Sequence, residues 1–527
     1  MDRTQRFTLV ATGLGLFMIF LDALIVNVAL PDIQRAFKVG EAGLQWVVAA
    51  YSLGMAIFIM SAATLADLHG RRRWYVAGIA VFTLASIACG MAPTLEMLNF
   101  ARGVQGVAAA TANVTSLALV SAAFPDPKQK ARAIGIWTAI ASVGTAVGPT
   151  LGGLLVEHWG WRSIFLVNVP VGMLVVFLTW RYVAESRDDR PRQFDLPGQA
   201  LFIVTVGALA YAVIEGPKSG WTSPLILALF ATAVVGCYVF VRFEQRAADP
   251  MMDITLFRDP AYALAIGTIC SVFFCVYGML LLTTQFLQNV RGYSPEATGL
   301  MILPFSASVT IVSPLVGRLV GRLGARPPIL TGLALLMAGL GALIVGGHGN
   351  TLVVLAGLGL CGTGGALCLT PITTIAMTSV PPERAGMASG IMSAQRAIGS
   401  TVGFAVLGSV LAAWLSATLE PDLAAALPDP VERHAVAAAI VASANPRAHV
   451  AEIGPRQAIA HPDPATRAAI MAVAERDFIQ GIRIALGVAI AVLALVLAAG
   501  LRWFPRGGGA ILTDAEREAA RLAGSES

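Results

Sequence analysis

The sequence predicts an all-α polytopic membrane protein, and three observations carry that expectation. Of the 527 residues, 56% are hydrophobic and 13% charged, about half the charge share of a soluble domain. The mean hydropathy of +0.73 leaves too little polar side chain to coat soluble domains of that total length. Third, the chain divides into about fourteen apolar runs of the roughly 20 residues that cross a bilayer core. The same composition excludes other classes. A net charge of +5, 8% aromatic residues and basic residues in short scattered clusters argue against a nucleic-acid partner. The six cysteines all lie inside apolar runs, which suits neither a disulfide framework nor a zinc site.

In order, the expected spans are 7–30, 45–66, 74–93, 97–120, 132–156, 161–181, 196–215, 221–241, 261–287, 297–317, 328–347, 351–373, 387–416 and 478–500. The first follows Arg3 and Arg6 but is too long for a signal peptide, carries Asp22 and has no small-residue cleavage site, so it reads as a retained helix. Spans 2 and 3 are parted by the polar turn Asp67 to Arg73, and span 5 follows Lys128 and Lys130. Spans 7 and 8 follow a basic linker with Arg187, Arg190 and Arg192. With the N-terminus inside, inner segments hold about 23 Lys and Arg against about five in short outer loops, which puts both termini in the cytoplasm of a cell inner (plasma) membrane protein. The segment 417–477 is expected outside as a long loop, with a helix over its alanine-rich stretch Val431 to Ala444. It is either a packed cap or a surface for an envelope partner.

A repeat is visible in the loops. Leu65 to Arg72 (LADLHGRR) follows span 2 and Leu319 to Arg326 (LVGRLGAR) follows span 10, each a short turn with a glycine and a basic end. If spans 1–6 and 9–14 are two six-helix halves, these loops occupy equivalent places and spans 7 and 8 are an inserted pair. The expected domains are a first bundle at 1–185, the inserted pair with its linkers at 186–260, a second bundle at 261–500 that includes the loop 417–477, and a cytoplasmic tail at 501–527.

Five strings carry a family resemblance. They are Leu21 to Pro31 (LDALIVNVALP), Asp67 to Arg73 (DLHGRRR), Arg102 to Gly106 (RGVQG), Gly144 to Gly153 (GTAVGPTLGG) and Trp161 to Pro170 (WRSIFLVNVP). On these the chain resembles the major facilitator superfamily, and within it the fourteen-helix drug:proton antiporter branch. It looks most like the actinobacterial efflux pumps associated with spectinomycin and tetracycline resistance. It departs from the branch pattern at Leu24, where threonine is usual, and at Ala63 and Leu68 in the loop motif. The resemblance implies two six-helix bundles plus two inserted helices, and proton-coupled multidrug efflux by alternating access.

Ionisable residues inside a bilayer are costly unless paired or hydrated, so each is a functional candidate. Asp22 lies about eight residues, roughly 12 Å, from the outer end of span 1, and Arg102 about five residues, roughly 8 Å, from the outer end of span 4. They can meet at similar depth. Burial favours the neutral acid and a nearby guanidinium favours the carboxylate, so changing hydration would switch the proton. The alternatives are proton coupling and a static ion pair. Arg396, near the middle of span 13 with no acid in its run, stays charged and is a candidate to hold an anionic or carbonyl-rich drug group, gate the cavity, or bond backbone carbonyls. Asn27, Gln105, Asn113 and Gln395 are candidate cavity lining, or satisfied interhelical hydrogen bonds.

In span 5, Gly144, Gly148 and Gly152 recur every fourth residue with Pro149 and Gly153 beside them, a pattern for close backbone approach and a bend. Gly399 and Gly403 offer a similar contact in the other half. Asp67, Gly70, Arg71 and Arg72 form a cytoplasmic gate candidate or a solvated charge cluster; the resemblance implies the gate. Gly357 to Gly362 spells a dinucleotide motif without strand-turn-helix context, and Asn113-Val114-Thr115 is a glycosylation triplet buried in a span, so both are set aside. No G-x-x-x-x-G-K occurs, so neither ATP nor a cofactor is expected and the proton gradient is the drive. All six histidines, His69, His158, His348, His434, His449 and His461, sit in loops or at span ends, which counts against an intramembrane enzyme. The expected partners are drugs, protons and the bilayer; an endogenous lipid, siderophore or metabolite is the alternative cargo.

Overall fold

The computed structural model describes residues 1–187, 195–247, 250–347, 350–378, 380, 385–443 and 464–504. Arg190, Arg192, His348, His449, His461, most of the tail 501–527 and the part of the outer segment at 444–463 lie outside the described residues. Among the described residues fourteen helices are long and apolar enough to cross a membrane, matching the expected spans one for one. They are α1 (Arg3–Phe37), α2 (Glu41–His69), α3 (Arg71–Met91), α4 (Leu95–Ala123), α5 (Pro127–Trp159), α6 (Ser163–Tyr182, interrupted at Val167), α7 (Leu196–Ser219) and α8 (Pro224–Glu244). After them come α9 (Pro260–Gln285, running on through a wide turn to Val290), α10 (Pro295–Leu323), α11 (Arg326–Gly346), α12 (Thr351–Thr378), α13 (Ala385–Asp422) and the last span. Between α13 and that last span, α15 (Pro464–Trp503), stands a short helix, α14 (Pro430–Ser443).

Local chemistry sets many of the boundaries. Side chains of Asp2, Thr94, Asp126, Asp195, Ser223, Asp259 and Ser294 accept backbone N–H groups at the starts of α1, α4, α5, α7, α8, α9 and α10. Proline is the first helical residue in four of the last five and the second in α7, places where its missing N–H costs nothing. The two repeat loops close alike. Gly70 and Gly324 take φ of +106° and +77°, and each donates its N–H back to a carbonyl four residues earlier, Ala66 and Val320, at 2.9 Å.

In the first half α1 packs on α5 and α6, and α4 on α2 and α3. In the second, α9 packs on α13, α12 on α10 and α11, and α15 on α9, α11 and α13. The α1–α5 and α9–α13 pairs occupy equivalent places in the repeat, and glycine makes both. A Cβ at Gly144, Gly148 or Gly152 would meet Phe17, Leu24 or Ile25 of α1, while one at Gly399 or Gly403 would strike the Cys270 or Phe274 carbonyl of α9. The halves meet through α5–α10 and α2–α13.

The inserted α7 fills the groove over the α2–α13 seam and is tied to both halves. Gln199 Nε2 donates to Ile57 O at 2.5 Å and Trp46 Nε1 to Glu215 Oε1 at 2.9 Å, both involving α2; Ser409 Oγ of α13 donates to Val213 O at 3.1 Å. Beyond it, α8 leans on α7 and exposes Leu225, Leu227, Val234, Val235, Tyr238 and Val239, a surface suited to lipid.

The described part of the segment 417–477 is more helical than hydropathy alone suggests. α13 continues past 416 to Asp422, α14 covers the described part of the expected alanine-rich helix, and α15 begins at Pro464 rather than 478. These helix ends carry polar outer faces, so a hydropathy window drops them, yet their apolar stripe is buried. Leu419, Leu423, Leu427, Val436, Ile440 and Ile470 form a small core of their own.

Candidate functional site

Four helices of the first half converge on Asp22. α1 places its carboxylate in the bundle interior, α4 brings Arg102 and Gln105 on one face at i, i+3, α3 brings Ser86, and α6 brings Asn168 just after its interruption at Val167. Arg102 Nη1 donates to Asp22 Oδ2 at 2.6 Å, while Gln105 Nε2 and Asn168 Nδ2 donate to Oδ1 at 3.0 and 2.8 Å. Arg102 also donates from Nε to Val47 O (3.0 Å) and from Nη1 to Gln105 Oε1 (2.7 Å), and its guanidinium lies 4.4 Å from the Tyr51 ring centre. Ser86 Oγ accepts from Gln105 and passes its own proton to Phe82 O. Both charged side chains are 0% exposed.

Such a pair survives in an apolar interior only where further hydrogen bonds meet most of its remaining lone pairs and protons. Three N–H donors face the Asp22 oxygens. Two valences stay open: Arg102 Nη2 and Asn168 Oδ1 are buried without a partner.

The structure thus brings the two expected coupling residues together. It also moves Gln105, expected in the drug cavity, into this sealed cluster, where three of its bonds lie. Ser86 and Asn168 were missed: each is an ordinary polar residue in an apolar run, and only the folded crossing shows which acid it faces. Asn27 is buried and donates to Leu24 O of its own helix at 3.2 Å. Asn113, Gln395 and Arg396 are partly exposed. Arg396 Nη2 reaches Thr373 Oγ1 at 3.5 Å.

The glycine motif of α5 has two working faces. One, Gly144, Gly148 and Gly152, seats α1; the other reaches the second half, where a Cβ at Gly153 would strike Pro295 O, a Cβ at Gly299 of α10 would strike Pro149 O, and Thr150 Oγ1 donates to Gly299 O at 3.3 Å. Gln288 Nε2, donating to Val28 O at 2.9 Å, adds a second tie between the halves at this end. At the other end of α5 and α10, a Cβ at Gly135, Gly317 or Gly321 would meet open space.

The gate candidate is bonded within the first half. Asp67 Oδ1 accepts from Arg71 Nε at 2.7 Å, one turn away, so the latch residue faces its own loop in this conformation. Glu185, unremarked in the sequence, accepts the Arg72 N–H at 2.9 Å at the start of α3, and Arg71 N donates to Ser186 O at 2.9 Å. The segment after α6 therefore caps α3.

A sequence pattern described as the Major Facilitator Superfamily matches residues 12–404. The chain is 72% identical over 506 residues to the multidrug resistance protein Stp of Mycobacterium tuberculosis (strain CDC 1551 / Oshkosh), covering 96% of this chain and 93% of that one. It is 45% identical to the drug efflux pump JefA of the same strain (96% and 99% covered) and 35% identical to the methylenomycin A resistance protein of Streptomyces coelicolor (78% and 86% covered). Among solved structures, a bacterial homologue of the human lysosomal transporter Spinster, inward-facing and occupied, superposes with a TM-score of 0.65 at 18% identity, covering 96% of this chain and 100% of that one.

Proposed function

The chain belongs to the Major Facilitator Superfamily, and on that premise we propose that it is a proton-driven exporter of several hydrophobic or amphiphilic antibiotics, tetracycline and spectinomycin among them. The 72% identity to a multidrug resistance protein across nearly the whole chain is the observation that carries the reading. The chain is a multi-pass membrane transporter and not an enzyme. It sits in the plasma membrane with both termini in the cytoplasm, as the basic residues near Arg3, Arg71 and Arg326 favour.

Drug enters between the two halves and protons are taken up by Asp22 from outside. The dry Asp22–Arg102 pair supports this coupling, because protonating the carboxylate dissolves the ion pair and loosens the α1–α4 contact inside one bundle. That bundle carries α5, whose outer end is pinned to α10, so a rearrangement around α1 reaches the seam through the glycine contacts. The segment 417–477 serves as an outer cap; its described apolar residues are buried against one another, which favours a cap over a docking surface for an envelope partner.

The test is tetracycline movement in proteoliposomes under an imposed pH gradient without ATP. Wild type is expected to accumulate drug, and Asp22→Asn to keep drug exchange while losing accumulation. A variant that still concentrates tetracycline against its gradient overturns the coupling role of Asp22. Failure of the wild type to move any of a panel of antibiotics overturns the export reading.

A further inference from the structure

Two carboxyl groups face each other where the inserted helices α7 and α8 meet. Asp195 caps α7, its Oδ1 accepting the Gly198 N–H at 2.9 Å. Glu244, the last residue of α8, is 3% exposed, and its Oε2 accepts the Met252 N–H at 3.0 Å. The other two oxygens, Asp195 Oδ2 and Glu244 Oε1, are both buried without a donor. They lie within hydrogen-bonding reach of each other, and a Cβ at Gly198 would strike both. The start of α7 does not supply the missing donor. Its Gly198 N–H is spent on Asp195 Oδ1 and its Gln199 N–H on Asp195 O, while Pro197 has none.

The surroundings are apolar and hold no compensating charge. Phe240, one turn before Glu244, packs on Phe202 of α7 with ring centres 5.5 Å apart, and Met252 belongs to the same buried cluster. On α8, Arg242 is exposed with its guanidinium by the Tyr238 ring, and Arg246 is exposed as well. In the segment that follows, Asp253 Oδ1 accepts from Thr255 and lies within electrostatic reach of Tyr262 of α9, and Arg258 is exposed. From α2 comes Ser61, whose hydroxyl is given to Gln199 Oε1, and further along Asp67, paired with Arg71. From α13 comes Met387, whose Sδ accepts the Asp253 N–H at 3.2 Å. Among the described residues no Lys, Arg or His stands within ion-pair distance of Asp195 or Glu244.

Two buried carboxyl groups this close do not both ionise; one keeps a proton that the other accepts. We propose that Asp195 and Glu244 form a second proton site, separate from the Asp22 cluster, in which one proton from the cytoplasm is held between Oδ2 and Oε1. The inference goes beyond the export reading and is independent of the cargo. With the proton in place, an O–H···O bond closes the end of α8 on the start of α7. When the proton leaves to water, two like charges push these helix ends apart. That joint carries the ties of the inserted pair to both halves: Gln199 of α7 to Ile57 O of α2, and Asp253, just past Glu244, to Met387 of α13.

The test is infrared difference spectroscopy of the purified full chain between about pH 6 and about pH 9, a range in which ordinary carboxyl groups are already ionised. Wild type is expected to show a protonated-carboxyl C=O stretch that disappears at the higher pH. Glu244→Gln and Asp195→Asn each set an amide donor against the remaining acid, and each is expected to lose the whole band, because one proton serves two groups. Asp22→Asn is expected to keep it. Amide exchange at residues 198–201 gives a second reading. Protection there should fall at least about tenfold in wild type at the higher pH, the factor that about 1.4 kcal/mol of repulsion supplies. Glu244→Gln should stay protected at both, which also shows that it is folded. Absence of the band in wild type, its survival in either pair variant, its displacement by millimolar magnesium chloride, or pH-independent protection in wild type overturns the inference. Neither assay involves a drug, so the export reading stands or falls on its own test.

Discussion

Asp22 and Arg102, 80 positions apart in sequence, share a 2.6 Å hydrogen bond with neither side chain reaching solvent. Cutting one partner away should be worse than removing both. Arg102→Ala strands a carboxylate and is expected to destabilise by about 3–5 kcal/mol. The double variant Asp22→Asn with Arg102→Gln, which leaves no charge, should recover much of that loss. Thermal unfolding of the detergent-purified proteins measures both, and a double variant no more stable than Arg102→Ala would contradict the ion-pair argument.

Asn168 supplies one of the three donors that face the Asp22 oxygens. Asn168→Ala leaves Oδ1 with Gln105 as its one remaining donor, and a buried acceptor that loses a partner costs about 1–3 kcal/mol. The melting temperature of the detergent-purified protein is expected to fall. Asn168→Ser, which keeps a shorter donor, should lower it less. An unchanged melting temperature in Asn168→Ala would show that the amide does not hold this cluster together.

The two faces of the α5 motif should separate in experiment. Gly152→Val places atoms where Ile25 already packs, with even a first Cβ only 2.8 Å from Ile25 Cγ1. Overpacking of this kind costs about 1–3 kcal/mol and should lower the melting temperature. Gly153→Val acts on the contact with Pro295 between the halves. Its first effect is expected on transport rate, since each half keeps its own core. Equal losses of stability in the two variants would argue against separate faces.

Glu185 caps α3 by accepting the Arg72 N–H, and its carboxylate also faces Arg73 at 3.8 Å. Glu185→Gln keeps the shape and removes the charge favoured at a helix N-terminus. The expected cost is about 0.5–2 kcal/mol, as for a lost cap. Hydrogen exchange at residues 71–75 should quicken while exchange in α10 is unchanged. Unaltered protection at the start of α3 would remove Glu185 from this role.

Much of the molecule is legible from composition and spacing. Fourteen spans, the paired glycine loops and the small-residue faces of α5 and α13 follow from periodicity, because a lipid environment demands long apolar helices and tight crossings demand glycine. The ends of α13 and α15 were not legible, since an amphipathic extension outside the membrane has no excess of apolar residues to announce it. Gln105 shows a sharper limit. From sequence it is a polar residue on a helix that lines either a cavity or a bundle core, and a rotation of about 100° per residue separates the two.

What the sequence determined alone was therefore the number of helices, their pairing into repeats and the presence of Asp22, Arg102 and Arg396 well inside their spans. Those depend on local hydropathy and on residue identity. The tertiary structure decided which charges cancel: it closed Asp22 and Arg102 on each other with Gln105 and Asn168, and it left Arg396 with a long contact to Thr373 and, among the described residues, no carboxylate within ion-pair distance. Coulombic pairing in a dry interior falls off within a few ångströms and depends on side-chain direction, so it is fixed by how helices cross, which no single run of residues contains.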